Sequence, residues 1–491
     1  MTYTHRLRRD GGGQKWSLTL RIGCVAAAGM LGTLLARTAC AQTTWPERTG
    51  QQPTRVIIPL HPSAPQTPDL QYHLLPRASD MHAGNAALGY AAAVEMIPPD
   101  RTAAEADELE TLRTEPLADL DEKAAQKILA NYDHALRQLR LAARYDYVDW
   151  QTDVFNRGLD APLPSLSFLR QLSNVLTVAI RLDLKHRDFA AAVEKLQTGF
   201  ALARHTGEGH ALIQTLVGAA IAGAMTREVE EWIGIDGSPN LFWPLAYMPR
   251  PLLDMPRALA FEKDAAYLSI PELRQMRARP LTVAGWTRFV AGFQSASSGG
   301  DVEPPKTYEQ QLQATGLALM IYPSAKQYLI ERQHLSPEDV DKMPVAEVLG
   351  RYFPDSFDAS MDRTFRYVNL PPAVALPALR KAERDFGQPG GMYTNLLARI
   401  FLPSLDRAIF INANTNRTLD ALEAVEGVRA YAAEHHELPA NLAALGLPIP
   451  NDPMTARPFD YRVENGGVTI TSVPLEDPAA RDTLIYQLTG P

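Results

Sequence analysis

Three places in the sequence gather side chains able to ligate a metal or move a proton. Glu434-His435-His436-Glu437 offers two imidazoles and two carboxylates, a donor set suited to zinc. Successive residues of a helix point about 100° apart, so this run closes on an ion only with partners from elsewhere, and a solvated helix end explains it as well. His205 and His210 flank a Gly207-Glu208-Gly209 turn, where loop polarity explains them as well as a site does. Glu262, Lys263 and Asp264 stand beside Phe261 and Tyr267, and a charge pattern within one helix is the alternative to a site. H-E-x-x-H, G-x-S-x-G, Walker-type, G-x-G-x-x-G and kinase motifs are absent from the sequence. That removes the enzymes readable by motif, while a pair of carboxylates working as acid and base needs no motif and stays open.

The elements that would position these residues begin with an export signal. Arg6, Arg8, Arg9, Lys15 and Arg21 form a basic region ahead of an uncharged, mostly apolar stretch at 22–36. A membrane span needs roughly 20 apolar residues, so this stretch is short for an anchor, although an uncleaved anchor is the alternative. Ala39, Cys40 and Ala41 supply a small-x-small pattern, and cleavage is expected between Ala41 and Gln42. A lipoprotein reading on Cys40 meets Arg37 where Leu is usual, and a twin-arginine reading of Arg8-Arg9 meets Asp10, Gly11 and Gly12. Cleavage would remove Cys24 and Cys40, the only two cysteines, which excludes disulfides, Cys-ligated zinc and thiolate nucleophiles from the mature chain. It would also take away six basic residues and one acid, moving the formal net charge from −8 to −13. So acidic a body is poorly suited to nucleic acid or an anionic membrane surface. The expectation is an exported protein, periplasmic or extracellular, with no stable membrane span after cleavage. No cofactor or metal is expected, and envelope proteins or a small ligand are left as partners.

The 38 prolines cut the chain into many short helices and ordered loops. Residues 42–69 carry Pro46, Pro53, Pro59, Pro62, Pro65 and Pro68 and read as an extended tether without a fixed fold of its own. A helical domain is expected over 70–294, with Asn85 as N-cap of an Ala-rich helix. Leu129, Tyr132, Leu136, Leu139 and Ala143 make one stripe, and Leu166, Leu169, Leu172, Leu176 and Ile180 the next. Residues 212–233, with Gly218, Gly223 and several alanines, allow close helix approach, and another helix is expected over 257–277. The Ser/Gly/Pro-rich segment 295–305 reads as a flexible loop and the internal boundary, followed by a second helical segment, 306–402, packed on the first. Ser336-Pro337 opens one of its helices. The last part, 403–491, is a long helix to about 436 and then a β-hairpin around Gly466-Gly467. The fold class is mainly α, a bundle or irregular array of helix pairs with a small carboxyl-terminal antiparallel β module.

Three resemblances add expectations. The pair at 169–203, turning through Arg187-Asp188-Phe189, resembles one tetratricopeptide-type hairpin, but no second copy follows at a period of about 34 residues, and a generic antiparallel pair explains it. The Leu438-Pro439 exit, the Asp452-Pro453 turn and the Pro458-Phe459-Asp460-Tyr461 strand are similar to the globular part of type II secretion major pseudopilins. Filament assembly does not carry over, because no assembly helix is joined directly to this module. Tyr72-His73-Leu74-Leu75-Pro76, Gly84-Asn85-Ala86-Ala87, the 145–150 segment and Val428-Arg429-Ala430-Tyr431 resemble a group of exported, mostly helical bacterial proteins without an assigned activity. That resemblance implies shared architecture and no catalytic residues to transfer. The resulting expectation is a non-enzymatic binding or structural protein of the cell envelope. A hydrolase using buried carboxylates and an accessory of a secretion or pilus-type machine are the alternatives.

Overall fold

A computed structural model describes residues 53–99, 102–158, 161–298, 308–386, 405–473 and 482–490. The expected signal, its cleavage point at Ala41 and Gln42, both cysteines and the first part of the tether lie outside the described residues. The chain runs β1 (Thr54–Pro59), β2 (His82–Asn85), α1 (Ala86–Glu95), α2 (Ala103–Thr114), α3 (Glu122–Ala142), β3 (Tyr145–Tyr147) and α4 (Val154–Arg157). It continues through α5 (Leu166–Lys185), α6 (Phe189–Gly207), α7 (Leu212–Ile233), α8 (Phe242–Ala246), α9 (Met255–Ser269), α10 (Glu272–Ala278) and α11 (Val283–Ser298). Then come α12 (Tyr308–Arg332), α13 (Pro337–Lys342), α14 (Val345–Phe365), α15 (Pro372–Phe386), α16 (Leu405–His435), β4 (Asp460–Glu464), β5 (Gly467–Ser472) and β6 (Leu484–Thr489). The fold is mainly helical with a small antiparallel strand group at the carboxyl end, as expected.

Local chemistry sets several of these boundaries. Asn85 Oδ1 accepts the Ala87 N–H at 3.1 Å, satisfying one of the donors left over at the start of α1. Ser336 Oγ accepts the Asp339 N–H at 3.0 Å, with Pro337 in the first turn of α13. The helix expected over 257–277 is two helices, because Pro271 pushes Ile270 out of helical geometry (φ −127°, ψ 77°) and ends α9. Between α6 and α7 a Cβ at Gly218 would lie 2.6 Å from the Ala203 carbonyl oxygen and 3.0 Å from the Gly207 nitrogen, so the two backbones approach this closely because that position has no side chain.

Two large cores form beside a small cluster of Val154, Ala161, Phe261 and Ala265, and the large ones do not divide where the loop was expected. The first joins α1–α3 and α5–α8 with part of α16 and the sheet, through Tyr90, Leu139, Leu172, Phe200, Trp232, Leu422 and Tyr486. The second is built by α9–α15 and the start of α16, through Leu259, Leu273, Phe289, Ile321, Tyr352 and Phe357. The change of core falls between Leu253 and Met255. Residues 295–298 of the expected loop complete α11, and the rest of it lies outside the described residues.

Helix α16 enters both cores, with Leu405, Ala408, Ile409 and Ala413 in the second and Leu419, Leu422, Val425 and Val428 in the first. Every residue from 421 to 430 is buried, so this stretch has no solvent face. Beyond it, the sheet has the order β1-β6-β5-β4. β5 is antiparallel to β4 and β6, while β1 runs parallel to β6 from Thr54↔Leu484 to Pro59↔Thr489. The expected tether is therefore ordered over β1, and the terminal module takes a strand from the front of the chain. Val56, Ile57 and Ile58 are β-branched, and Pro59 is tolerated at the end of an edge strand. Among the described residues no helix is long and apolar enough to cross a membrane.

Candidate functional site

The segment after β3 is held by Asn85, which acts twice. β2 and β3 pair in parallel, bringing Asn85 beside Tyr147. Besides capping α1, Asn85 donates from Nδ2 to the Asp149 carbonyl and accepts the Asp149 N–H on Oδ1, both at 2.8 Å. Gly84 N–H donates to Asp146 Oδ1 at 2.9 Å. Trp150 is thereby laid on α6, where its Nε1 donates to the His205 carbonyl at 2.8 Å and its ring stacks on Tyr90 at 5.9 Å. Tyr90 Oη and His205 Nδ1 share a buried hydrogen bond of 2.7 Å. Burial, reinforced by Arg204, pushes the His205 imidazole down to about 4. Burial, with Glu208 nearby, pushes the Tyr90 phenol well up, so both groups are neutral at pH 7. His205 was expected in a polar turn. It lies inside α6, which continues to Gly207, and it belongs to the core.

In front of this buried layer lies a shallow groove lined by Val148, Asp149, Trp150, Thr152, Glu208, Gly209, His210 and Arg257, with a cavity of about 30 Å³. Arg257 Nη2 donates to His210 Nε2 at 3.2 Å. Phe155 meets the His210 ring edge to face at 4.9 Å and Phe261 at 6.1 Å, yet is 59% exposed at the rim. Partial burial lowers the pKa of His210, with Arg257 adding to the effect and Asp149 opposing it. Glu208 is raised by burial and by Asp254 against the pull of Arg204 and Arg257. Behind Gly209 the Gln214 side chain is fully buried, and a Cβ on Gly209 would lie 2.2 Å from its Nε2. Gln214 Oε1 accepts the Ala211 N–H at 3.3 Å, whereas Nε2 has no hydrogen-bond partner.

In the other two sequence clusters the side chains lie exposed or pair with neighbouring helices. Glu434, His435, His436 and Glu437 are exposed at the end of α16, and His435 stacks on Tyr431 at 4.0 Å. Among the described residues no group of three His, Cys, Asp or Glu side chains is placed to hold a metal ion. Glu262 and Lys263 act between helices rather than along one. Glu262 Oε1 accepts the Leu212 N–H at the start of α7 at 3.1 Å, and Lys263 pairs with Asp362 of α14 at 3.0 Å. Two helices pack across α9 there, so its charges find partners on neighbours.

A set that sequence reading missed runs inside α16, where Arg417, Asp420, Glu423, Glu426 and Arg429 recur at every third position and are buried. Arg429 donates to Glu426 Oε2 (2.8 Å), the His61 carbonyl (2.9 Å) and Ser238 Oγ (2.8 Å). Glu426 Oε1 accepts the Leu241 N–H at 3.0 Å. Arg250 bridges Asp420 at 2.6 Å and Glu423 at 3.8 Å. Burial pushes the Glu423 carboxyl up to about 7 against the pull of Arg250, with Asp420 adding to the rise. Arg417 Nη1 donates to the Asp482 carbonyl at 2.7 Å and to Ser472 Oγ at 3.2 Å, and Ser472 donates to Asp452 Oδ2 at 2.6 Å. These bonds lock α16 to residues 61–63, to the 238–241 loop and to the sheet.

Comparison with known proteins finds no matching family model, no matching curated protein and no matching solved structure. Of the groove residues, His210 and Glu208 stood out in the sequence. Asp149 and Trp150 fell in the 145–150 segment without a role, and Phe155, Arg257 and Gln214 carried no signal, because nothing in one sequence links positions 149, 210 and 257.

Proposed function

We propose that the protein is an exported, non-enzymatic binding component of the cell envelope that engages its partner through the Trp150–His210–Arg257 groove. The observation that carries this reading is the contrast between the back and the front of the groove. Behind it, Asn85 holds Asp149, Trp150 holds the His205 carbonyl, and a buried hydrogen bond joins Tyr90 to His205. In front, Phe155 and Arg257 are exposed. Rigid support behind available side chains lowers the ordering cost of binding. A cavity of about 30 Å³ is far below the several hundred cubic ångströms that enclose an organic substrate. The test is sedimentation of the mature chain with isolated envelope fractions, beside the double variant Phe155→Ala/Arg257→Ala. Binding weaker by about tenfold or more in the variant supports the reading; equal sedimentation of the two proteins refutes it.

A second reading, a hydrolase working through buried carboxylates, is favoured by Asp420 and Glu423. The two acids converge on one arginine, and one of them titrates near 7. Turnover of chromogenic esters or glycosides that disappears in Glu423→Gln while the melting temperature holds would support it. Turnover that survives the substitution, or no turnover in the wild type, removes it.

A further inference from the structure

We infer that the groove receives a neutral carbohydrate, with one hydroxyl or hydroxymethyl group entering the cavity and the sugar ring lying against Phe155. The inference rests on the binding role proposed above. Charge comes first. Arg257 lines the same groove as Asp149 and Glu208, while Arg204 and Asp254 act on Glu208 from outside it. An anionic ligand drawn to Arg257 meets Asp149 and Glu208, and a cationic ligand drawn to the acids meets Arg257. A hydroxyl group both donates and accepts, so a polyol uses every one of these groups without an unpaired like charge. Thr152 adds a hydroxyl of its own.

Size agrees with this chemistry. About 30 Å³ is the room of one water molecule, which a hydroxyl or hydroxymethyl group matches and a whole ring does not. The ring must therefore sit outside, where Phe155 stands exposed at the rim. The C–H face of a sugar carries slight positive charge and meets the negative face of an aromatic ring favourably. Gln214 packs directly behind Gly209, whose lack of a Cβ leaves room for the amide, and so supports the back of the groove without lining its cavity.

Titration calorimetry of the full mature chain tests this with three neutral trisaccharides, cellotriose, maltotriose and triacetylchitotriose, beside an anionic trigalacturonate and a cationic chitosan trimer. Binding of at least one neutral trimer is expected, weakened about tenfold by Phe155→Ala and by Arg257→Gln, with neither charged trimer binding more tightly. Melting temperature confirms that both variants fold, and Phe155 is exposed enough for truncation to be tolerated. Tighter binding of a charged trimer overturns the inference, as does the absence of neutral-trimer binding or binding indifferent to both variants. If envelope sedimentation still depends on the groove in those cases, the carbohydrate assignment falls while the binding role stands. If sedimentation too is indifferent to the groove, both fall.

Discussion

Arginine and carboxylate side chains serve opposite purposes in α16 and at the groove, and what differs is how many of their hydrogen-bonding positions are filled. Glu426 and Arg429 are wholly enclosed, and between them they engage each other, Ser238, the Leu241 N–H and the His61 carbonyl. At the groove, Arg257 holds His210 by one N–H and is otherwise an exposed residue. Glu208 is paired only loosely, with Arg204 at 4.0 Å. A charge satisfied on every side fixes one arrangement of the chain. A charge satisfied on one side and rigidly backed is free to recognise something else.

Arg429→Ala breaks this contrast hardest. It leaves Glu426 buried without its cation, and urea unfolding should show a loss of about 3–5 kcal/mol, against almost no change for Arg257→Ala. Asn85→Ala removes a helix cap and both bonds to Asp149, at a cost of about 2 kcal/mol. Hydrogen exchange should show the loss concentrated at 148–152, the segment that carries the groove.

Glu228 tests the contrast from a third position, since it is buried like the α16 charges but its Oε2 has no partner. Arg113 faces it from α2 and Arg181 from α5, with Arg227 and Glu231 on its own helix. Burial dominates and pushes it up to about 8. The folded state then holds a proton that the unfolded chain releases near 4.5, so this contribution to stability is complete below 4.5 and is lost as pH rises through about 8. Glu228→Gln should therefore gain stability over the wild type as pH goes from 6 to 9, by about 2–3 kcal/mol, read from thermal melts across that range. The smallest effect belongs to Phe155→Ala, which should change unfolding stability by less than about 0.5 kcal/mol while weakening ligand binding, and so separate recognition from folding.

Much of the helical body was legible because it obeys local rules. Asn85 and Ser336 cap helices, apolar residues repeat at helical spacing, and a turn at Asn465-Gly466, one residue ahead of the expected Gly466-Gly467, joins β4 to β5. What escaped depends on distant partners. β1 looks like a tether from its prolines, and only β6, more than 400 residues on, makes it a strand. The second core begins at Met255, with no change of composition to mark it. The groove draws its groups from the segment after β3, the α6–α7 turn and α9, so two of them were visible as a polar pair and the rest were not.

The parallel register of β1 on β6 has a mechanical consequence. A pull applied between Thr54 and Thr489 acts along the two strands in opposite directions, so the six paired positions share the load and must yield together. The same force between Asp460 and Ser472 opens β4 from β5 one pair at a time. Tension transmitted through the residues ahead of β1 thus meets the sheet along its resistant direction, and pulling single molecules from either pair of points should show a high rupture force for the first and a low one for the second.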